Sequence, residues 1–183
     1  MNPSHPVPRR RAFLRRAGAL AATLPLWSPA RAAVPQPRAL AFAHTHTGER
    51  LQTVFALGES YRPEALGQLN RFLRDHYTGQ VGVMDPPLFD LLYRVQALLG
   101  CEGPYEVISG YRCPDTNERL RLKGGGGVAR RSLHMDGKAI DVRLPGVPLA
   151  ELRDAALELG RGGVGYYARE QFVHLDTGRV RSW

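Results

Sequence analysis

Two short runs carry the residue types that do chemistry. The first is Ser132–Asp141, Ser-Leu-His-Met-Asp-Gly-Lys-Ala-Ile-Asp, and the second is Phe172–Asp176, Phe-Val-His-Leu-Asp. An imidazole from His134, a carboxylate from Asp141 and an imidazole from His174 could converge on one divalent ion. Two nitrogens and an oxygen fill three of zinc's four preferred positions, and water in the fourth would make the site catalytic rather than structural. The His-x6-Asp spacing is loose, and polar residues at a sheet edge would show the same pattern, so spacing alone leaves both readings open. Other clusters are weaker. His44 and His46 share a strand face by their two-residue spacing, but no acidic or cysteine ligand accompanies them, which leaves them as exposed or hydrogen-bonded polar residues. Gly124–Gly127 follow Lys123 and lack the Gly-x4-Gly-Lys-Ser/Thr order of a phosphate loop, so they read as a flexible rim beside a cleft. Ser109 and Ser132 lack the Gly-x-Ser-x-Gly elbow of a serine hydrolase.

These residues need a scaffold, and the patterning supplies one. Ile140-Asp141-Val142 reads as strand, with the carboxylate facing opposite to its neighbours. In the second run His174 and Asp176 project from one face. Leu40 to Phe55 alternates about a Thr47-Gly48-Glu49 turn and predicts a hairpin. Pro63 opens a helix with Leu66, Leu69, Phe72 and Leu73 on one face. Asp85 is placed to cap a second helix, whose stripe is Leu88, Leu91, Leu92, Val95, Leu98 and Leu99. Tyr105–Ser109 is a strand, Pro114–Leu120 passes from turn to helix, and Pro148 begins a helix through Leu152, Ala155 and Leu159 that stops at Gly160. Gly162–Tyr167 leads through a turn into the second chemical run, and Arg179–Arg181 completes a terminal hairpin. Strands and helices mix without a βαβ repeat, which predicts a single α+β domain with an antiparallel sheet flanked by helices.

The first residues stand apart. Arg10-Arg11-Ala12-Phe13-Leu14 heads an apolar stretch from Ala17 to Leu26, followed by Ala30-Arg31-Ala32, the small-x-small form of a signal peptidase site. Paired arginines before Phe-Leu predict a twin-arginine signal peptide over residues 1–32, cleaved after Ala32, then an extended linker over 33–39 and a domain over 40–183. The apolar core is shorter than the roughly 20 residues a bilayer helix needs, so no stable membrane anchor is expected. The twin-arginine export machinery would deliver such a chain to the periplasm or cell exterior. Six of the 25 basic residues (Arg9, Arg10, Arg11, Arg15, Arg16, Arg31) and none of the 17 acidic ones lie in this leader, so the remainder carries 19 minus 17, or +2, of the whole chain's +8. Nucleic-acid binding loses its electrostatic motive. About 150 residues remain, enough for one self-sufficient core, and a monomer is expected. In an oxidising compartment Cys101 and Cys113, the only cysteines, are expected to be bridged.

Longer strings sharpen the reading. Ser109-Gly110-Tyr111-Arg112, Asn117, Ser132-Leu133-His134-Met135 with Gly137, Ala139 and Asp141-Val142, Gly162–Tyr167 and Phe172–Gly178 together resemble the DUF882 branch of the M15-type zinc peptidases. That branch is a murein endopeptidase group among the D-alanyl-D-alanine metallopeptidases of the Hedgehog-type fold. The resemblance implies a Hedgehog/DD-peptidase-like domain, Zn2+ held by His134, Asp141 and His174, and hydrolysis of the cross-links between peptidoglycan peptides. It also implies that Arg112 clamps a peptide carboxylate or stabilises charge at the attacked carbonyl, a task for which a planar bidentate guanidinium suits. Many relatives carry a glutamate three residues before the last ligand. Here that position is Gln171, which cannot ionise, and strand alternation would turn Glu170 to the other face. Asp176 is therefore the expected general base. Ser109 and Asn117 would hold the loop or bond the peptide, and Tyr111, Tyr166 and Tyr167 could line the cleft. A D,D-carboxypeptidase or an L-alanyl-D-glutamate peptidase would use the same chemistry, and Gln171 keeps a non-catalytic peptidoglycan-binding zinc domain in view. The bond cleaved depends on cleft shape, which ligand residues do not specify.

Overall fold

The computed structural model describes residues 34–123 and 128–183 and builds them around one eight-stranded sheet. The signal-peptide reading of residues 1–32 and the glycine run Gly124–Gly127 lie outside the described residues. In chain order the elements are β1 (Pro37–His44), β2 (Arg50–Leu57), β3 (Ser60–Tyr61), α1 (Pro63–Phe72), α2 (Pro86–Leu99), β4 (Tyr105–Ser109), α3 (Pro114–Leu122), β5 (Ala139–Arg143), α4 (Leu149–Leu159), β6 (Gly163–Tyr167), β7 (Phe172–Asp176) and β8 (Arg181–Ser182). The strand order across the sheet is β3-β2-β1-β4-β5-β7-β6-β8. Among the described residues no helix is long and apolar enough to cross a membrane.

Alternation assigns the two faces of the sheet. Val107 of β4, Ile140 and Val142 of β5, Val164 of β6, and Val173 and Leu175 of β7 enter one core with Leu69 and Phe72 of α1, Leu88 and Leu92 of α2, and Leu152 and Ala156 of α4. The residues between them, among them Asp141, Gly165 and His174, project to the opposite face. α3 adds nothing to the apolar core; its buried residues are Thr116 and Asn117. A bulge makes β4 serve both faces. Val107 pairs with Val142, yet Ser109 pairs with Asp141, so the register shift between them turns Ser109 from the core side to the polar side.

The helices begin and end where prolines and glycines place them. α1 and α2 carry Pro at the first turn, where its missing N–H costs nothing, and Gly100 and Gly160 end α2 and α4 in the left-handed conformation. Asp85 sits at the start of α2 but makes no capping bond. Its carboxylate instead accepts the Thr177 hydroxyl at 2.6 Å, tying the entry of α2 to the end of β7.

The structure revises four expectations. The α+β domain has a mixed sheet: β1 pairs with β4, and β6 with β8, in parallel. β8 thus joins the far side of β6 and does not close a hairpin on β7. β1 begins at Pro37, inside the segment expected to be linker; pairing with β4 starts only at Phe42, so the missing proline N–H removes no bond on that side. Finally, Cys101 and Cys113 are free. They flank β4, whose five residues span roughly 17 Å, whereas a bridge needs Cα atoms within about 7 Å. Cys113 Sγ lies instead 3.4 Å from Thr116 Oγ1.

Candidate metal centre

Register lays the site out as one row across the sheet. Ser109 stands opposite Asp141, Asp141 opposite His174, and His174 opposite Gly165. Directly paired residues share a face with Cβ atoms about 4.5–5.5 Å apart, so Asp141 and His174 meet without help from any loop. His134 comes from outside the sheet. It sits in a turn closed by Met135 N donating to Ser132 O at 3.0 Å and Lys138 N to Leu133 O at 2.9 Å. Gly137 completes that turn with φ of 66°, and a Cβ there would collide with the Val83 carbonyl.

His134 Nε2, Asp141 Oδ1 and His174 Nδ1 face one another. The two nitrogens are 3.2 Å apart, His134 Nε2 is 3.3 Å from Asp141 Oδ1, and His174 Nδ1 is 2.8 Å from the same oxygen. Donors about 2.0–2.1 Å from a tetrahedral zinc stand about 3.3 Å apart, so the trio fits that ion. Each ring is oriented through its other nitrogen. His134 Nδ1 lies 2.7 Å from the Gly110 carbonyl, and His174 Nε2 lies 3.2 Å from Asp176 Oδ2. Both outer partners accept, so each outer nitrogen carries a proton and the inner nitrogen is the one that would hold a metal. Among the described residues this is the one group of three such side chains with donor atoms all within 4.8 Å. His44 and His46 form no second one: His44 is buried, and its Nδ1 accepts the His46 N–H at 3.2 Å.

Charge follows from these contacts. Burial pushes the Asp141 carboxyl up, but the neighbouring His134 and the hydrogen bonds from both imidazoles outweigh it and hold the group well below the usual carboxylate range. Burial likewise pushes His174 down, yet its bonds to Asp141 and Asp176 raise it, in the metal-free chain, to about 9. Asp176 shares the His174 face, as alternation requires, and is fully buried behind it. Oδ1 accepts from Gly163 N, Gly178 N and Arg181 Nη1 at 3.0, 2.8 and 3.2 Å, and Oδ2 accepts from Arg181 Nη2 at 2.7 Å. Burial is again overridden, here by the bonds from His174, Arg181 and the two glycine amides, and Asp176 is held well below the usual range.

The trio opens into a cavity of about 450 Å³ whose wall includes Arg112, Arg131, Tyr167, Glu170, Phe172 and Trp183, but not Asp176. Arg112 stands beside the ligands, with Nη2 3.8 Å from Asp141 Oδ2 and 3.2 Å from Ser109 Oγ. Its own N–H donates to the His134 carbonyl at 3.2 Å. Asn117 serves the loop: Oδ1 is 3.5 Å from Arg112 Nη1, and Nδ2 donates to Ala129 O at 3.1 Å. Of the three tyrosines Tyr167 lines the cavity, whereas Tyr111 packs on Gly82 and Tyr166 lies under the Arg153 guanidinium. Glu170 reaches the cavity because residues 168–171 are turn, with Gln171 at φ 59°, so strand alternation does not govern them. Sequence reasoning passed over Trp183 and Arg131, and it read Arg181 only as part of a terminal hairpin. A two-residue strand has no periodicity to read, and the signal open to use was that Trp183 is one of two tryptophans in the chain.

Comparison with known proteins accords with this geometry. The family model for Peptidase M15_2, described as peptidoglycan L,D-endopeptidase MepK, matches residues 32–183. The peptidoglycan L,D-endopeptidase MepK of Escherichia coli (strain K12) is 46% identical over 163 residues, 89% of each chain. The protein of that name from Shigella flexneri matches with the same identity and coverage. A probable peptidoglycan L,D-endopeptidase MepK from Haemophilus influenzae is 45% identical over 155 residues, 84% of this chain and 83% of the relative. No solved structure matches.

Proposed function

Since the chain belongs to the Peptidase M15_2 family, we propose that it is a zinc-dependent peptidoglycan L,D-endopeptidase that hydrolyses peptide cross-links of the bacterial wall. The observation that carries this reading is the convergence of His134 Nε2, Asp141 Oδ1 and His174 Nδ1 beside Arg112 at an open cavity. When bound, zinc supplies Lewis-acid polarisation of a peptide carbonyl and acidifies a water at its open position.

The chain's own residues do the remainder. Asp176 Oδ2 holds a proton on His174 Nε2, which makes Nδ1 the nitrogen that would hold the metal. Its five bonds and full burial suit it to orienting His174, and a direct exchange of protons with substrate would require breaking several of them. Arg112, steadied by Ser109 and Asn117, offers a fixed cation to a substrate carboxylate or to charge gathering on the attacked oxygen. We further propose that the twin-arginine leader exports the chain and is removed after Ala32, so that the enzyme meets peptidoglycan outside the inner membrane.

Digestion of purified muropeptides by the zinc-loaded protein, with product masses read out, tests the activity. Release of separated peptides from L,D-cross-linked dimers supports it. Loss of a terminal D-alanine alone would make the protein a D,D-carboxypeptidase, and cutting between L-alanine and D-glutamate would make it a peptidase of that bond. Sacculus binding without any released peptide would reduce it to a wall-binding zinc domain. Retention of the uncleaved chain in the cytoplasm when Arg10 and Arg11 are both changed to Lys tests the export route.

A further inference from the structure

The row that holds the metal ligands continues past Gly165. β8 runs beside β6 with Gly163 opposite Arg181 and Val164 opposite Ser182, which brings Trp183 next to Gly165. The backbone confirms the placement: Trp183 N donates to Val164 O at 3.2 Å and Tyr166 N to Trp183 O at 3.0 Å. Glycine leaves the floor bare at this point, since a Cβ on Gly165 would lie 2.7 Å from the indole Cε2. The indole fills that space, its ring centroid 5.3 Å from the His174 imidazole.

Several contacts hold the indole in one orientation. Nε1 donates to the Tyr167 hydroxyl at 2.8 Å, and the Arg181 guanidinium lies 4.8 Å over the ring while bonded to Asp176. Tyr167 is in turn stacked on Phe172 at 4.5 Å with 16° between planes. Despite this support Trp183 remains 50% exposed, and it lines the same cavity as the three ligands. A large aromatic face fixed by its neighbours and left open to a cavity loses little entropy when a ligand covers it. Sheet order also gives it a direction. With Arg112 at the β4 side and Trp183 at the β8 side, a cation and an aromatic surface flank the metal ligands on β5 and β7 from opposite sides.

We propose that Trp183, supported by Tyr167, is a specificity-determining residue that packs its open indole face against an apolar part of the peptide substrate on one side of the scissile bond, while Arg112 stands at the other. The proposal rests on the reading of this cavity as the peptide-cleaving site.

Kinetics on purified cross-linked muropeptide dimers with the zinc-loaded full chain provide the first test. Trp183→Ala should raise KM about tenfold, equivalent to the loss of one well-packed aromatic contact, while kcat moves less and zinc stays at one per chain. Trp183→Phe should recover most of the loss. Gly165→Ala should raise KM in the native background by displacing the indole and add nothing in the Trp183→Ala background, because the two act as a unit. A fall in kcat with KM unchanged, or additive effects of the two substitutions, would overturn the assignment. A second readout does not depend on turnover. With Trp27→Phe, Trp183 is the sole indole of the chain, and titration with a disaccharide tetrapeptide should shift its emission saturably. If the wild-type protein cleaves no dimer, the peptidase reading fails; if it cleaves but the emission never changes at saturating tetrapeptide, the Trp183 proposal alone fails.

Discussion

Among single residues, each imidazole of the candidate trio is held by a neighbour outside it, His134 by the Gly110 carbonyl and His174 by Asp176. His134→Ala and His174→Ala remove donors outright and should leave a folded chain with little bound zinc, measured by elemental analysis after gel filtration; full stoichiometry in both would dispose of the ligand set. Asp176→Asn separates two roles for that carboxylate. As the partner of His174 Nε2, it should cost about 10- to 100-fold in zinc affinity when lost, since an amide can present its N–H to the imidazole and favour the wrong tautomer. Unchanged zinc affinity with kcat down by about 100-fold or more would instead make it the proton acceptor. Arg112 invites a different comparison. Lysine keeps the charge but cannot reach Ser109, Asn117 and a carboxylate together from a planar fork. Arg112→Lys should therefore resemble Arg112→Ala, with kcat/KM lowered at least about tenfold, and near-native kinetics in the lysine variant would show that charge alone suffices.

At the scale of elements, β4 explains both what works and what was misread. Its bulge puts Ser109 on the polar face next to Asp141, and its length holds Cys101 away from Cys113. Two alkylatable thiols per chain are expected when the purified protein is denatured without reductant, with Cys101 the faster in the native state because Cys113 is buried. One disulfide by intact mass would contradict this. The helices were legible because stripes such as Leu88, Leu91, Leu92 and Val95 repeat at helical spacing between a proline start and a glycine stop. The core strands were legible for the same kind of reason, by alternation and flanking glycines. A bulge leaves no such mark, and neither does the choice of β8 to pair in parallel with β6, because Arg181 and Ser182 have no pattern and the pairing is made with residues far back in the chain. The grouping of His134, Asp141 and His174 was expected from family-like strings, and the three side chains do converge; the indole beside them was not, because only that long-range pairing brings Trp183 to His174.

Across the whole molecule, the charge state of the His134, Asp141 and His174 trio ties metal affinity to the stability of the fold. In the metal-free chain His174 is raised to about 9, above its unfolded value of about 6.5, so the imidazolium stabilises the fold fully below pH 6.5. That contribution is lost as pH rises through 9. Asp141 and Asp176 move the other way: held low, they contribute above the unfolded carboxylate range and stay constant across this window. Zinc must displace the proton that His174 Nδ1 shares with Asp141 in the metal-free state. The weakening of the metal-free fold with rising pH and the easing of proton competition for zinc are therefore one free energy seen from two sides, and they are counted once. The stability difference between zinc-loaded and chelator-treated protein should accordingly widen between pH 6.5 and pH 9, by an amount on the order of a few kcal/mol, and then level off. Thermal unfolding of both forms across that range, at fixed free zinc for the loaded one, measures it. A difference independent of pH would mean that His174 carries no extra proton in the metal-free fold, and its tight pairing with two buried carboxylates would then need another source of neutralising charge, for which Arg112 beside Asp141 and Arg181 on Asp176 are the nearest cations.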